Sequence, residues 1–329
     1  MPRQPDFASL EYDPITLKSP GEIVYLEYNP AELPPKPAED WTRFVCISDT
    51  HSRTFPVPDG DVLLHSGDLT NTGTVPDFSV TMKWLYSLPH KVKILLFNVS
   101  PVFSIIAGNH DLTLHPEWYD TQWPRFHSHH GKQNLKPIMD LLASQESAAH
   151  GIVYLKDRSH SFKLKEDGRF WSVYGSPWSP YFGNWAFNYG GDVAEDLISK
   201  FPKTDILLTH GPPAGIFDKT MRGDDAGCTA LRARLPELRP RIHLFGHIHE
   251  GHGAYIHRWD SANDFEPPRV QVDDEIPDDA RDDEADAGDV ERTVFVNAAN
   301  WPMGRAAARR GIRVFGGPGF QAVVIDLKD

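Results

Sequence analysis

With two cysteines in 329 residues, one inside an apolar run (Cys46) and one opening an amphipathic stretch (Cys228), the chain has no disulfide framework. It also lacks any run of about 18 apolar residues that would read as a membrane-spanning helix. The opening MPRQPDFASLEYD has no basic-then-apolar leader pattern. These absences predict a cytoplasmic protein with no membrane partner. Lys and Arg are not clustered into a basic stretch of the kind a polymeric anion requires, so a nucleic-acid polymer is not expected as a partner. The formal net charge of −13 is unevenly spread, because residues 273–291, DDEIPDDARDDEADAGDVE, carry eleven acidic groups and one arginine. That run has too few apolar groups to offset its ordering entropy and reads as a mobile surface loop.

What is present is the composition of an ordinary globular protein, 40% apolar. Short β-branched-rich runs recur at 43–47, 61–65, 92–97, 102–107, 169–174, 204–209, 241–245, 292–297 and 320–326. Helical patterns lie between several of them, with Phe78, Met82 and Leu85 on one face, then Leu135, Ile138, Met139 and Leu142, then Val193, Leu197 and Ile198, then Leu231 and Leu235. The alternation predicts an α/β fold with helices outside. Residues 1–40, including the Pro-rich LPPKP at 33–37, read as an extended lead-in, and 41–329 as one domain.

In α/β sheets functional groups collect just beyond strand ends. Here the run RFVCI is followed by SDTHSRT, with Asp49 and His51 two apart, which strand alternation would send to one face. DVLLH is followed by SGD with Asp68; SIIA by GNHD with Asn109, His110 and Asp111; DILL by TH with His210; RIHLF by GHIH with His247 and His249. Each fragment alone has an ordinary reading as a cap, a turn or a core histidine. Their occurrence at five strand ends together does not. Imidazole and carboxylate donors suit manganese, iron or zinc. There are too many for one tetrahedral ion and enough for two ions sharing a carboxylate, the arrangement that activates water and clamps an in-line displacement at phosphorus.

These motifs, in this order, resemble the calcineurin-like metallophosphoesterase superfamily over roughly residues 43–300. SDTHSRT, GDVLLHSGDLT, YGSPWSP, THGPP, FGHIHEGHG and FVNAA resemble its metallophosphoesterase domain-containing branch. The resemblance implies two mixed sheets packed face to face with helices outside. It also implies a cofactor of two divalent metals, manganese first, with iron or zinc as alternatives. Asp49, His51 and His249 would hold the first metal, Asp68 would bridge, and Asn109, His210 and His247 would complete the second. His110 would contact the phosphate or protonate the leaving group, with Asp111 orienting its ring. The activity implied is attack of a metal-bridging hydroxide on a small phosphodiester, nucleotides included. A phosphomonoesterase or phosphoprotein phosphatase, and a metal- or nucleotide-binding scaffold, are the alternatives.

Arg53 is a candidate for a bidentate phosphate contact or a surface ion pair. The aromatic stretch GSPWSPYFGNWAFNYG, 175–190, can stack a nucleobase or fold on its own rings. His127, His129 and His130 read as an exposed loop, His65 as a strand residue packed in place, and His252 as part of a turn. KVKILLFNVSPVFSIIAGNHD contains more residues than one strand leading to GNHD needs, and the C-terminal NWPMGRAAARRGIRVFGGPGF is longer and more basic than the resemblance implies.

Overall fold

The computed structural model describes residues 7–90, 102–259, 290–304, 307–308, 311 and 314–329. The apolar run at 92–97 and most of the acidic run at 273–291 lie outside the described residues.

Two mixed sheets form the centre. The seven-stranded sheet runs, in spatial order, β1 (Ile15–Ser19), β2 (Glu22–Glu27), β15 (Val323–Lys328), β3 (Trp41–Ile47), β4 (Val62–His65), β5 (Val102–Ile105) and β6 (Ile152–Tyr154). The strands from β3 to β6 are parallel and the others antiparallel. The six-stranded sheet runs β13 (Gly253–Arg258), β14 (Arg292–Asn297), β12 (Ile242–Phe245), β11 (Ile206–Thr209), β8 (Phe170–Ser176) and β7 (Arg158–Lys163), parallel in its middle four strands. A short pair, β9 (Ser179–Pro180) and β10 (Asn188–Tyr189), stands apart.

Strand alternation divides the apolar residues into layers. Phe44 and Cys46 of β3, Val62 and Leu64 of β4, and Ile206, Leu208, Ile242 and Leu244 of the second sheet share the core between the sheets. Val45, Ile47 and Leu63 face the other way, toward Phe78, Met82 and Leu85 of α1 (Val75–Ser87), Tyr119 of α2 (Pro116–His127) and Ile138 of α3 (Leu135–Leu142). Leu207 and Phe245 likewise back onto α5 (Gly191–Ser199) and α6 (Thr229–Leu238); the short α4 (Gln145–Ala149) precedes β6. The expected helix, sheet, sheet, helix order is the observed one. α1 starts where a capping box allows it: Thr74 Oγ1 accepts from the Asp77 N–H, and the Asp77 carboxylate accepts from the Thr74 N–H.

Residues 1–40 are not simply a lead-in. Residues 15–27 form the β1–β2 hairpin, which joins the seven-stranded sheet through β15. The Pro20–Gly21 pair between the alternating runs ITLKS and EIVYLE is the turn signal that marks it. On the helices, Met139 and Val193 are exposed, while Ile138, Leu142, Ala194 and Ile198 face the core. Among the described residues no helix is long and apolar enough to cross a membrane.

Candidate metal centre

After β3 the backbone does not continue as a strand. Asp49, His51 and Ser52 have φ of 54°, 46° and 59°. Asp49 and His51 therefore converge because of a left-handed turn, and alternation along an extended strand is not the reason. The turn after β4 behaves similarly, with Gly67 at φ 104° and Asp68 at 53°. Such backbone costs a non-glycine residue roughly 1–3 kcal/mol and persists where the surroundings over-determine it. Here the two turns are laced together: the N–H groups of Asp49, His51 and Ser52 donate to the carbonyls of Gly67, Asp68 and Leu69, each at 3.0 Å.

The neighbouring glycines have a different cause. A Cβ on Gly108 would stand 2.2 Å from Asp68 Oδ1, and one on Gly246 would stand 2.1 Å from Asp49 Oδ2. Neither has a positive φ. The close approach of the two carboxylates, more than a tight turn, requires glycine there.

One ligand atom from each of Asp49, His51, Asp68 and His249 lies within 4.8 Å of the others. Both carboxylates are buried, and among the described residues their ion-pair partners are histidines alone. Burial would raise Asp49, but the hydrogen bond and charge of His249, with His210 and His51 behind, hold it well below the usual carboxylate range. Asp68 is likewise lowered on balance, burial opposing the fields of His210, His110 and His51. Burial pushes His51 down to about 4. In His249 burial acts downward too, but the bond to Asp49 and the charges of Asp49, Asp68 and Glu250 together outweigh it and the ring is raised.

A second gathering of ligand atoms lies on the other side of Asp68. His210 donates its Nδ1 proton to the Ser66 carbonyl at 3.0 Å, so Nε2 of the neutral ring carries a lone pair. That lone pair faces Asn109 Oδ1 at 2.8 Å and Asp68 Oδ1 at 3.4 Å. Asp68 Oδ1 also accepts the His110 backbone N–H at 2.8 Å, and with the neutral His210 ring the three atoms offer lone pairs to one region, an arrangement that fits a bound cation. His247, half-buried and left-handed at φ 66°, donates its backbone N–H to both Asp49 oxygens, at 3.2 and 3.1 Å, and its ring centre is 5.0 Å from that of His210.

The His110 ring sits beside these atoms, its centre 4.6 Å from that of His51. Its Nδ1 donates to the Asn71 carbonyl at 2.8 Å. The expectation that Asp111 orients this ring is therefore corrected. The Asp111 carboxylate is turned inward, accepting from the N–H groups of Leu69, Thr70 and Gly108 and from the Thr70 hydroxyl. Burial and the Asp68 charge push it up to about 7 against those donors. A carboxylate with four donors around it holds the Asp68 and Asn109 turns together and is not free to reach His110.

Three neighbours were not anticipated in this role. Asn71 supplies a backbone carbonyl, which no residue-type signal reveals. Trp185, from the aromatic stretch, stacks on His110 with centres 4.2 Å apart. Trp301 stands 5.5 Å from His51 and 6.3 Å from His249 between ring centres. It follows β14, so the strand-end rule that found the histidines would also have found it. Arg53 is exposed, its guanidinium 4.2 Å over the Trp301 ring, with no carboxylate in ion-pair range among the described residues. The aromatic stretch otherwise divides: Phe187 is buried, and Tyr181 and Phe182 are exposed. His129 and His130 are exposed as expected, but His127 is buried at the end of α2, 2.6 Å from the Tyr119 hydroxyl.

Two face-to-face sheets whose strand ends gather carboxylates and imidazoles around one point define a metallophosphoesterase. The calcineurin-like phosphoesterase family profile matches residues 42–251, and the chain belongs to that family, hydrolases acting on phosphoester bonds. It is similar to metallophosphoesterase domain-containing protein 1 of Homo sapiens, with 37% identity over 71% of this chain and 68% of that one. It is also similar, at 36% identity over 74% of its length, to a probable rhamnogalacturonate lyase C of Emericella nidulans, of which the shared stretch makes up 20%. Among solved structures it aligns with a phosphopantetheinyl hydrolase of Mycobacterium tuberculosis at 11% identity and a TM-score of 0.39, over 83% of this chain and 93% of that one.

Proposed function

We propose that the protein hydrolyses a small phosphodiester, nucleotides included, with two divalent metal ions, manganese in preference to iron or zinc. In this reading Asp49, His51 and His249 hold one ion, Asp68 is shared, and Asn109, His210 and His247 hold the other. The observation that carries it is the buried cluster of Asp49, His51, Asp68 and His249, one ligand atom of each within 4.8 Å of the others, with His210 Nε2 and Asn109 Oδ1 gathered on the other side of Asp68. When bound, the ions supply an activated water and neutralise charge on the phosphoryl oxygens.

The chain's own residues do the rest. His110, with Nδ1 held by Asn71, carries the mobile proton of its cationic form at Nε2, and transfer to a leaving oxygen leaves the neutral tautomer that Asn71 already stabilises. Trp185 and Trp301 flank the His110 and His51 rings, which supports a substrate with a flat ring beside its phosphate. Arg53, fixed over Trp301, can contact a phosphate oxygen at the rim. Two free, buried cysteines support a reducing, cytoplasmic setting, and the scarcity of clustered basic residues supports a small substrate over a nucleic-acid polymer.

The test is hydrolysis of matched mono- and diesters by protein saturated with manganese, with metal content measured on the same sample. Diester preference with two ions per chain is expected. Monoester preference would replace the substrate class, and one ion or none would reject the dimetal assignment.

A further inference from the structure

Beneath the metal-side turns lies a buried histidine that the reaction does not use. His65, the last residue of β4, is fully enclosed. The Gly67 N–H donates to its Nδ1 at 3.3 Å. An amide N–H can only donate, so the neutral ring must carry its proton on Nε2. That proton points at Thr50 Oγ1, 3.0 Å away, and the Thr50 hydroxyl is in turn 3.4 Å from the Leu69 carbonyl, which can only accept. Every proton in the chain from Gly67 through His65 and Thr50 to Leu69 thus has one direction. Thr50 stands between Asp49 and His51, and Gly67 and Leu69 flank Asp68. The chain joins the two left-handed turns through side chains, in addition to the backbone bonds that lace them.

We propose that His65 is a positioning residue: by joining Thr50 to Gly67 it holds the 48–52 and 66–70 turns in the one arrangement in which Asp49, His51 and Asp68 converge. The inference rests on the metal reading above for its consequence, but the positioning itself is a property of the metal-free fold. An internal control exists. His243, the second residue of β12, makes the same contact to a threonine beside a candidate ligand, Nε2 to Thr209 Oγ1 at 3.0 Å, next to His210. Its Nδ1, however, has no partner, so it props one turn and joins nothing. Both rings are buried in strands at equivalent depth, and only one of them links two turns.

The experiment compares His65→Leu, Thr50→Val and His243→Leu with the wild-type chain. Amide hydrogen exchange on metal-free protein reads the turns directly. With His65→Leu and Thr50→Val, exchange at residues 49–52 and 67–69 should accelerate at least tenfold relative to β3 and β4, whereas His243→Leu should leave it unchanged. Manganese titration should show affinity about tenfold weaker for the first two variants, the usual cost of losing a group that orients ligands. His65→Asn, which keeps an acceptor for Gly67, should recover part of the protection at 67–69. Equal acceleration across β3 and β4 would mean that His65 is only a core residue and would overturn the proposal, as would unchanged protection in folded His65→Leu. A wild-type chain that binds no manganese, with the exchange result as expected, would reject the metal reading and leave the positioning role standing.

Discussion

The seven-stranded sheet brings to the site both carboxylates, Asp49 and Asp68, together with Asn109, His51 and the left-handed residues Asp49, His51, Ser52 and Asp68. The six-stranded sheet brings the imidazoles of His210, His247 and His249, with His247 its left-handed member. A buried carboxylate needs donors or cations, whereas a buried neutral imidazole needs neither in the same measure. The donors for Asp49 come from the opposite sheet, through the His247 N–H and His249 Nε2. Asp68 takes a donor from its own sheet, the His110 N–H, but Asp49 is satisfied only when the two sheets are packed together, and the site doubles as a joint between them.

Breaking the charged half should do most. Asp68→Asn removes the shared carboxylate and should reduce turnover to that of metal-free protein, a loss of a thousandfold or more if the ions supply several kcal/mol of transition-state stabilisation. Retained activity would show that Asp68 is not shared. Next in size, His110→Ala should keep both metals and lower the rate on esters with alkoxide leaving groups by about 10² to 10⁴, and much less on nitrophenyl esters. His210→Ala, on the imidazole side, should slow both substrates together and weaken one metal. Equal losses on both substrates for His110→Ala would leave it a phosphate ligand.

Acidification sharpens the comparison through His249, the imidazole bonded across the joint. Its pKa is raised in the metal-free fold, so protons compete with the metal already at pH above the usual histidine range, while His51, at about 4, competes only in stronger acid. Manganese affinity at that site should drop by about tenfold per pH unit for each proton displaced. His249→Gln should bind less tightly and with a flatter pH profile; an unchanged profile would show that another group competes. The smallest effects concern groups outside the metal shell. Asp111→Asn should lower unfolding free energy by about 1–3 kcal/mol, because its amide would face N–H donors, with turnover per folded molecule nearly unchanged. Arg53→Ala should raise KM a few-fold and leave kcat intact, in keeping with an exposed cation held on an aromatic ring by roughly 0.5–1 kcal/mol.

The residues of the site were legible because apolar strand runs and the polar groups that follow them are both written locally. Asp49, Asp68, Asn109, His210 and His249 each follow a recognisable run. The Pro20–Gly21 hairpin signal is equally local. By contrast, the Asn71 carbonyl holds the His110 ring in the place expected of Asp111, because hydrogen-bond partners depend on which turn packs on which. The loop-like composition of FHSHHGK predicts a solvated His127, whereas α2 carries it inward to Tyr119, a placement that composition does not encode.

By itself, then, the amino-acid order determined the two-sheet α/β class and the kinds of ligand offered at each strand end, since side-chain periodicity and residue chemistry need only neighbours in sequence. Tertiary structure alone decided the left-handed turns that make Asp49 and His51 converge, the carboxylate contacts that forbid a side chain at Gly108 and Gly246, the buried His65 link, the stacking of Trp185 on His110 and the edge-on approach of Trp301 to His51. Each of these balances a local cost against contacts from residues distant in the chain, and that balance exists only once the two sheets have packed.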